Sequence, residues 1–394
     1  MVSTKTQTPK SDIDLFSDET LQNTEFYYKA LRDLGPIVHL PKNELYAITQ
    51  FEAVRVALRD DAQLINGKGV AANPILNDMP SDATLISDGE THLRRRSILM
   101  RPLMPKTLAN IKDRIETSAD ILILDLVSKG DFCGVAEFAT HLPLTIVAEL
   151  VGLEDTAREN MLVWAAATFD ALGPLNNRTQ AALDTALGLI QYVSQLKLEN
   201  VRPGSWAADI LTEAQNKNIS PSEAAMMIVD YVAPSLDTTI LASAHMLWRL
   251  GTTPDAFTKL RDNPDLIASA VNESVRLASP IREFTRFAIE DYETDAGVIP
   301  AESRVAVLYA SANWDERHYP NADQFQLERN PRDHVGWGHG AHICVGMNLA
   351  RLEMECLLKA MVNHVGHIET GDPTPILNNV LQGFQKLPAR FKAA

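Results

Sequence analysis

Residues 337–346 read Trp337-Gly338-His339-Gly340-Ala341-His342-Ile343-Cys344-Val345-Gly346, and they set one of the chain's three cysteines among three glycines and two histidines. Several chemistries compete for such a stretch. Zinc would draw on His339, His342 and Cys344, yet zinc sites use paired Cys/His spacings and no CxxC occurs anywhere in the chain. A nucleophilic thiol would need a histidine base and an orienting partner. A buried, inert thiol in the turn before a helix needs neither. A fourth possibility makes fuller use of the glycines, and it depends on what surrounds them.

The chain has 394 residues, 45% of them hydrophobic and 22% charged, which is enough to bury a large core without covalent staples. Cys133 and Cys356 fall in apolar, helical-looking segments, so unpaired, reduced thiols and a cytoplasmic location are expected. The N-terminus, MVSTKTQTPKSDIDLF, lacks the apolar centre of a signal peptide. No run reaches the roughly 18 apolar residues of a membrane span, so a soluble, unanchored protein is expected. A net charge of −15 argues against a nucleic-acid binder. Helical periodicity covers residues 107–127, 136–151, 156–172, 179–198, 222–250, 265–277 and 347–365. Residues 38–40, 45–49 and 304–308 read as short strands, and 66–82, 173–177 and 319–341 are rich in turn residues. With no repeat and no linker, the expectation is one mainly α unit with a small β-sheet region over residues 1–394, disordered or extended over about the first twelve.

In that setting the fourth possibility for residues 337–346 is an axial ligand to haem iron. Gly338 and Gly340 let the backbone fold against a flat group, and Cys344 stands just before a helix opening at Gly346, whose amides stabilise a thiolate and lower its pKa. The stretch resembles the signature of the cytochrome P450 haem-thiolate monooxygenases, an aromatic followed by G-x-G-x-H-x-C-x-G, which maps without gaps onto residues 337–346. The resemblance implies the cytochrome P450 fold, haem b with Cys344 as iron ligand, and O2 as cosubstrate. Trp337 departs from the usual Phe, and an indole N–H on the sulfur would reduce its electron donation.

Further motifs carry the resemblance over nearly the whole chain. Glu273 and Arg276 share one helix face and can pair; they match the family's E-x-x-R, and Arg329 matches the arginine through which that pair locks the segment carrying the thiol. Such a charged triad is expected to fix geometry more than to add net stability. His92 and Arg96, four apart, match a propionate-binding pair, and Arg286 and His342 match two more such positions. Arg94 and Arg95 read as a partly solvated basic face, suited to an acidic iron–sulfur ferredoxin with its NAD(P)H-dependent reductase.

In the central helix Asp237 and Thr238 match the acid–alcohol pair implied in delivering protons to dioxygen, while Pro234 and Ser235 stand where a small residue and glycine are usual. Proline frees the carbonyl of Asp230 and kinks a helix; alternatively the helix ends here with Thr238 as an N-cap. By resemblance the substrate pocket draws on Val70, Ile75, Leu76, Phe169, Leu172, Val232, Ser235, Ile281 and Phe284, with Lys68 and Asn73 as polar candidates. Residues 168–176 and Asp237-Thr238-Thr239 resemble the subgroup oxidising para-substituted benzoates, in which a cation of the first loop faces the carboxylate. Lys68 holds that place where arginine is usual, and a solvated lysine is the alternative. The implied reaction is hydroxylation or oxidative O-demethylation of a small aromatic. The alternatives are hydroxylation of a terpenoid or other natural product, and a haem protein that senses or carries a gas.

Overall fold

Apolar residues at helical spacing set most of the architecture of this computed structural model, which describes residues 8–394. The expected helices are present as Lys112–Lys129, Asp155–Ala171, Asn177–Ser194, Ile267–Ala278 and Met347–His364. The first starts later than its periodicity, because a short helix Pro105–Leu108 and a 3₁₀ turn Ala109–Ile111 precede it. Residues 134–151 wind with π turns at Gly134–Ala139 and Pro143–Val147 before closing as α-helix.

The central helix is broken. It begins at Pro221 with Ser220 and Glu223 capping one another, runs to Ser235, and resumes as Asp237–Thr252 after a one-residue interruption at Leu236, which stays in the right-handed region at its edge, φ −98° and ψ −69°. The continuous helix expected over 222–250 is therefore corrected, and Pro234 is the cause: it has no N–H for the Asp230 carbonyl. Met227, Ile228, Val232, Leu236, Met246 and Leu247 of the two halves are fully buried in the largest apolar cluster. At about 1.5–3 kcal/mol per large apolar side chain, this burial holds the break in place.

Gly134–Val151 and Pro221–Thr252 have mean hydropathies of 1.3 and 1.2, long and apolar enough to cross a bilayer, which corrects the expectation that no segment qualifies. Averaging hides their scattered charges, and 50% and 67% of these windows are buried inside the fold.

The expected strands appear as Ile37–Leu40, Leu45–Ile48 and Arg304–Leu308. Joined by Glu283–Ala288 and Leu64–Ile65, they form a five-stranded sheet in which Leu45–Ile48 pairs parallel with Arg304–Leu308. A second sheet joins Asp131–Cys133, Pro388–Ala393 and Val365–Thr370. Residues 1–7 lie outside the described residues. Residues 8–12 are extended and tied down: the His39 amide donates to the Pro9 carbonyl at 2.8 Å, and Lys10 bridges His39.

Candidate functional site

A cavity of about 380 Å³ opens between the thiol loop, the helix Gly89–Met100, the broken helix and the strand Glu283–Ala288. The loop owes its shape to two glycines, Gly338 at φ +72° and Gly340 at φ +73°. A Cβ on Gly340 would lie 2.3 Å from the Leu58 carbonyl oxygen, so only glycine lets the loop press against the end of the helix Phe51–Arg59. The Cys344 amide donates to the Trp337 carbonyl at 2.7 Å and the Gly338 amide to Val335 at 2.8 Å, which turns the thiol toward the cavity. Gly346 caps the helix that follows.

Burial pushes the Cys344 thiol up, against lowering by the amides of Gly346 and Met347 and by Arg96 and Arg351. The net lowering expected from the helix end is corrected: desolvation outweighs it, and a thiolate here needs a cation against its sulfur. Trp337 Nε1 is buried without a hydrogen-bond partner, so the expected bond from indole to sulfur is not formed; instead Arg351 lies over the ring, 5.7 Å from its centre.

Four nitrogen-bearing side chains crowd one rim of the cavity. The rings of His92 and His342 lie 4.0 Å apart. Arg96 donates to the Ile343 carbonyl and Arg286 to the Thr285 carbonyl, at 3.0 Å in the second case. Among the described residues no carboxylate pairs with either arginine. Burial, then Arg286, His92 and Arg96, push His342 down to about 2, and burial and Arg96 lower His92, so both imidazoles are neutral hydrogen-bonding groups. Arg286 also donates to the Tyr309 hydroxyl at 3.5 Å; a rim of cationic donors met only by carbonyls and a hydroxyl calls for an anion. With a thiol on the adjoining wall and apolar surfaces between, this donor set fits haem b and its two propionates.

Across the cavity the broken helix presents Ala233, Pro234, Thr238 and Thr239. Thr238 Oγ donates to the Pro234 carbonyl at 2.8 Å, and the residue at the N-cap is Leu236, so Thr238 does not cap the second half. Asp237 sits beside Thr238; its Oδ2 is buried without a partner, and burial pushes the carboxyl up to about 7. Ser235 does not line the cavity: the break turns its hydroxyl back toward the Val232 carbonyl, 3.4 Å away.

Val70, Leu76, Phe169, Leu172, Ile281 and Phe284 wall an apolar chamber. Lys68 does not reach it. Lys68 is exposed, and its carbonyl and that of Gly69 accept from Arg304, which pins this turn against the sheet. Ile75 points to solvent, Val232 packs in the core, and Asn73 caps the short helix after it while donating to Ala171 and Gly173 carbonyls, so these three leave the pocket too. Sequence reasoning passed over Asp230, which lines the chamber. Its spacing of eight residues before Thr238, two helical turns on the same face, was the available signal.

Glu273 and Arg276, both fully buried, meet through two bonds of 2.8 and 2.9 Å, and Arg329 Nε joins Glu273 at 3.0 Å. Arg329 then secures the carbonyls of Pro320 and Asn321. The link to the thiol loop runs through a residue the sequence did not single out. Asn313 gives its carbonyl to Arg276 at 2.6 Å, donates to Ser279, and accepts the Val335 amide at 2.8 Å. Of the expected partly solvated basic face, Arg94 is exposed and Arg95 is buried. Both pair with Glu223, and buried Arg95 also pairs with Asp82.

A model of the family described as cytochrome P450 matches residues 143–393. Cytochrome p450 CYP199A2 of Rhodopseudomonas palustris is 31% identical over 98% of this chain and 95% of its own length. Cytochrome P450 107B1 of Saccharopolyspora erythraea is 26% identical, covering 96% and 98%. Among solved structures, Mycobacterium marinum cytochrome P450 CYP268A2, in complex with pseudoionone, superposes with a TM-score of 0.85 at 25% identity over 97% of this chain and 99% of its own. The chain belongs to the cytochrome P450 family, whose members hold haem b through a cysteine thiolate and use dioxygen as cosubstrate.

Proposed function

We propose that residues 1–394 form one cytoplasmic monooxygenase unit that hydroxylates or oxidatively O-demethylates a small aromatic, taking electrons from an iron–sulfur ferredoxin and its NAD(P)H-dependent reductase. The observation that carries this is the chamber itself. Its walls are apolar, Phe169 and Phe284 face across it with rings 17° from parallel and centres 6.5 Å apart, and it opens onto the side of the cavity where Thr238 lies. Cys344 is the iron ligand, Gly338 and Gly346 shape its loop, and His92, Arg96, Arg286 and His342 hold the propionates. Bound haem supplies the reductive activation of dioxygen. Asp237, pushed up to about 7 by burial and so able to hold and give up a proton near neutral pH, is the proton source, and Thr238, whose own proton is committed to the Pro234 carbonyl, accepts a hydrogen bond from the cavity side. Overall, one oxygen atom enters the substrate and the other leaves as water with two electrons and two protons; from a methoxyarene the products are a phenol and formaldehyde. For the electron donor, exposed Arg59 and Arg332 beside the thiol loop replace Arg94 and Arg95 as a basic contact for an acidic ferredoxin.

The test is an optical titration of the haem Soret band with para-alkoxybenzoates, methoxyphenols and monoterpenes, followed by NADH consumption and formaldehyde release with ferredoxin and reductase. A low-spin to high-spin shift with aromatics, and formaldehyde from methoxyarenes, are expected. A shift with terpenes alone would transfer the assignment to a terpenoid hydroxylase, and haem without NADH turnover would leave a gas-binding protein.

A further inference from the structure

We infer that Asp230 is the polar anchor of the substrate chamber and selects aromatics bearing a hydrogen-bond donor, phenols ahead of benzoates; the inference rests on the monooxygenase reading above.

Asp230, Ala233, Pro234 and Thr238 line one face of the broken helix. Eight residues separate Asp230 from Thr238, roughly 12 Å along the axis, room for a para-methoxyphenol of about 7 Å from hydroxyl oxygen to methyl carbon together with its hydrogen bond of about 2.7 Å to Asp230. One carboxylate oxygen of Asp230 accepts the Thr84 amide at 2.8 Å. The other receives no hydrogen bond from the described residues. Beside it the buried Thr84 hydroxyl leans on the same carboxylate without closing a hydrogen bond of full geometry. A carboxylate oxygen with no closed partner in an otherwise apolar chamber marks a site that a ligand completes.

Charge decides which ligand. Arg95 lies near Asp230, but its guanidinium is already held by Glu223 at 3.0 Å and by Asp82. Lys68 is outside the chamber, and Arg96 and Arg286 stand on the rim given over to the propionates. A benzoate would therefore bring a second carboxylate into an apolar space beside Asp230 with no cation to receive it. A phenol hydroxyl donates to the free Asp230 oxygen, and the Thr84 hydroxyl can turn from the carboxylate to donate to it.

The test uses the haem-loaded protein at about pH 8, above the value of about 6 to which burial pushes Asp230. Three probes are titrated against the Soret band: para-methoxyphenol, para-dimethoxybenzene and para-methoxybenzoate. A hydrogen bond to a charged group predicts that the phenol binds about tenfold or more tighter than the ether, with the benzoate weakest. Asp230→Asn keeps an acceptor for the Thr84 amide and turns a donor into the chamber. Phenol affinity should fall about tenfold and benzoate affinity rise by a similar factor, inverting the order, with haem content unchanged. Asp230→Ala should bring phenol and ether to within about threefold of each other. A benzoate that binds more tightly than the phenol in the unsubstituted protein, or an order unmoved by Asp230→Asn, would overturn the assignment while leaving an aromatic monooxygenase intact. A Soret band silent to all three probes but shifted by monoterpenes would remove both.

Discussion

Replacing Glu273 by glutamine tests how the thiol loop is held. Glu273 is fully buried and receives four hydrogen bonds, two from Arg276, one from Arg329 and one from the Gln326 amide at 3.1 Å. Glutamine keeps the shape but removes the charge and sets an NH2 against guanidinium donors. Arg276, with no exposure, is then left without a counter-charge. Breaking a buried pair in this way costs about 3–5 kcal/mol. For 394 residues the unfolding entropy is roughly 0.8 kcal/mol per kelvin, so Tm should fall by about 4–6 °C. Because the same Arg276 holds the Asn313 carbonyl, and Asn313 holds the Val335 amide, the loss should also loosen the Cys344 loop and lower the haem-to-protein ratio. Thermal unfolding followed by far-UV circular dichroism, with haem content measured in parallel, reads both effects. A fall in Tm below about 1 °C with full haem occupancy would refute the idea that this triad carries the loop.

Asp237→Asn and Thr238→Ala should each slow turnover or divert reducing equivalents to hydrogen peroxide; unchanged coupling of NADH to product in both would remove their assigned role. Glu353 is buried with neither carboxylate oxygen hydrogen-bonded, and burial pushes it up to about 8. The unfolded chain ionises this group from about 4.5 while the folded one does not until about 8, so its contribution to stability is lost as pH rises across that window. Glu353→Met should therefore match the parent near pH 5 and exceed it by a few kcal/mol at pH 8 in urea denaturation; equal gains at both values would contradict the assignment. Pro234→Ala should let the two half-helices join, raising stability by up to about 3 kcal/mol while narrowing the cavity and weakening the Soret response; a gain in affinity would contradict the picture of the break as a cavity-forming device. Lys68→Ala should leave aromatic affinities within about twofold, since Lys68 lies outside the chamber; a larger loss would return the lysine to the substrate site.

How much of this was legible in the sequence follows from how local each cause is. The thiol loop was legible because its chemistry and its backbone demands lie within ten consecutive residues, and Gly338 and Gly340 do hold the left-handed geometry that such spacing implies. Met347–His364 and Arg304–Leu308 were legible because periodicity fixes them without help from elsewhere. Glu283–Ala288, from which the resemblance drew Phe284, was not legible by periodicity, because its burial is nearly continuous and period-two alternation is weak. Asn313 escaped because nothing near it in sequence marks it: its three partners, Arg276, Ser279 and Val335, come together only in the fold. Lys68 and Arg95 were misplaced for a related reason. A cation's partner decides its direction, and Gly89–Met100 meets Glu223 of the broken helix only after packing.

The break at Leu236 links the departures of this chain from the family pattern into one device. An unbroken helix would give the Pro234 carbonyl to the Thr238 amide and the Asp230 carbonyl to an amide at 234. Proline supplies no such amide, the helix is interrupted at Leu236, and the Thr238 hydroxyl donates to the Pro234 carbonyl. Thr238 is thereby fixed as an acceptor toward the cavity, while Asp237 becomes the first residue of a new helix, its carboxyl pushed up to about 7 by burial. The same break leaves the preceding turns to follow the chamber wall, which is how a residue as polar as Asp230 comes to line it. A glycine in place of Pro234 would bend the helix without forcing the Thr238 hydroxyl into service. On the proposed roles of Asp237, Thr238 and Asp230, proton delivery and substrate selection both trace to a single missing N–H.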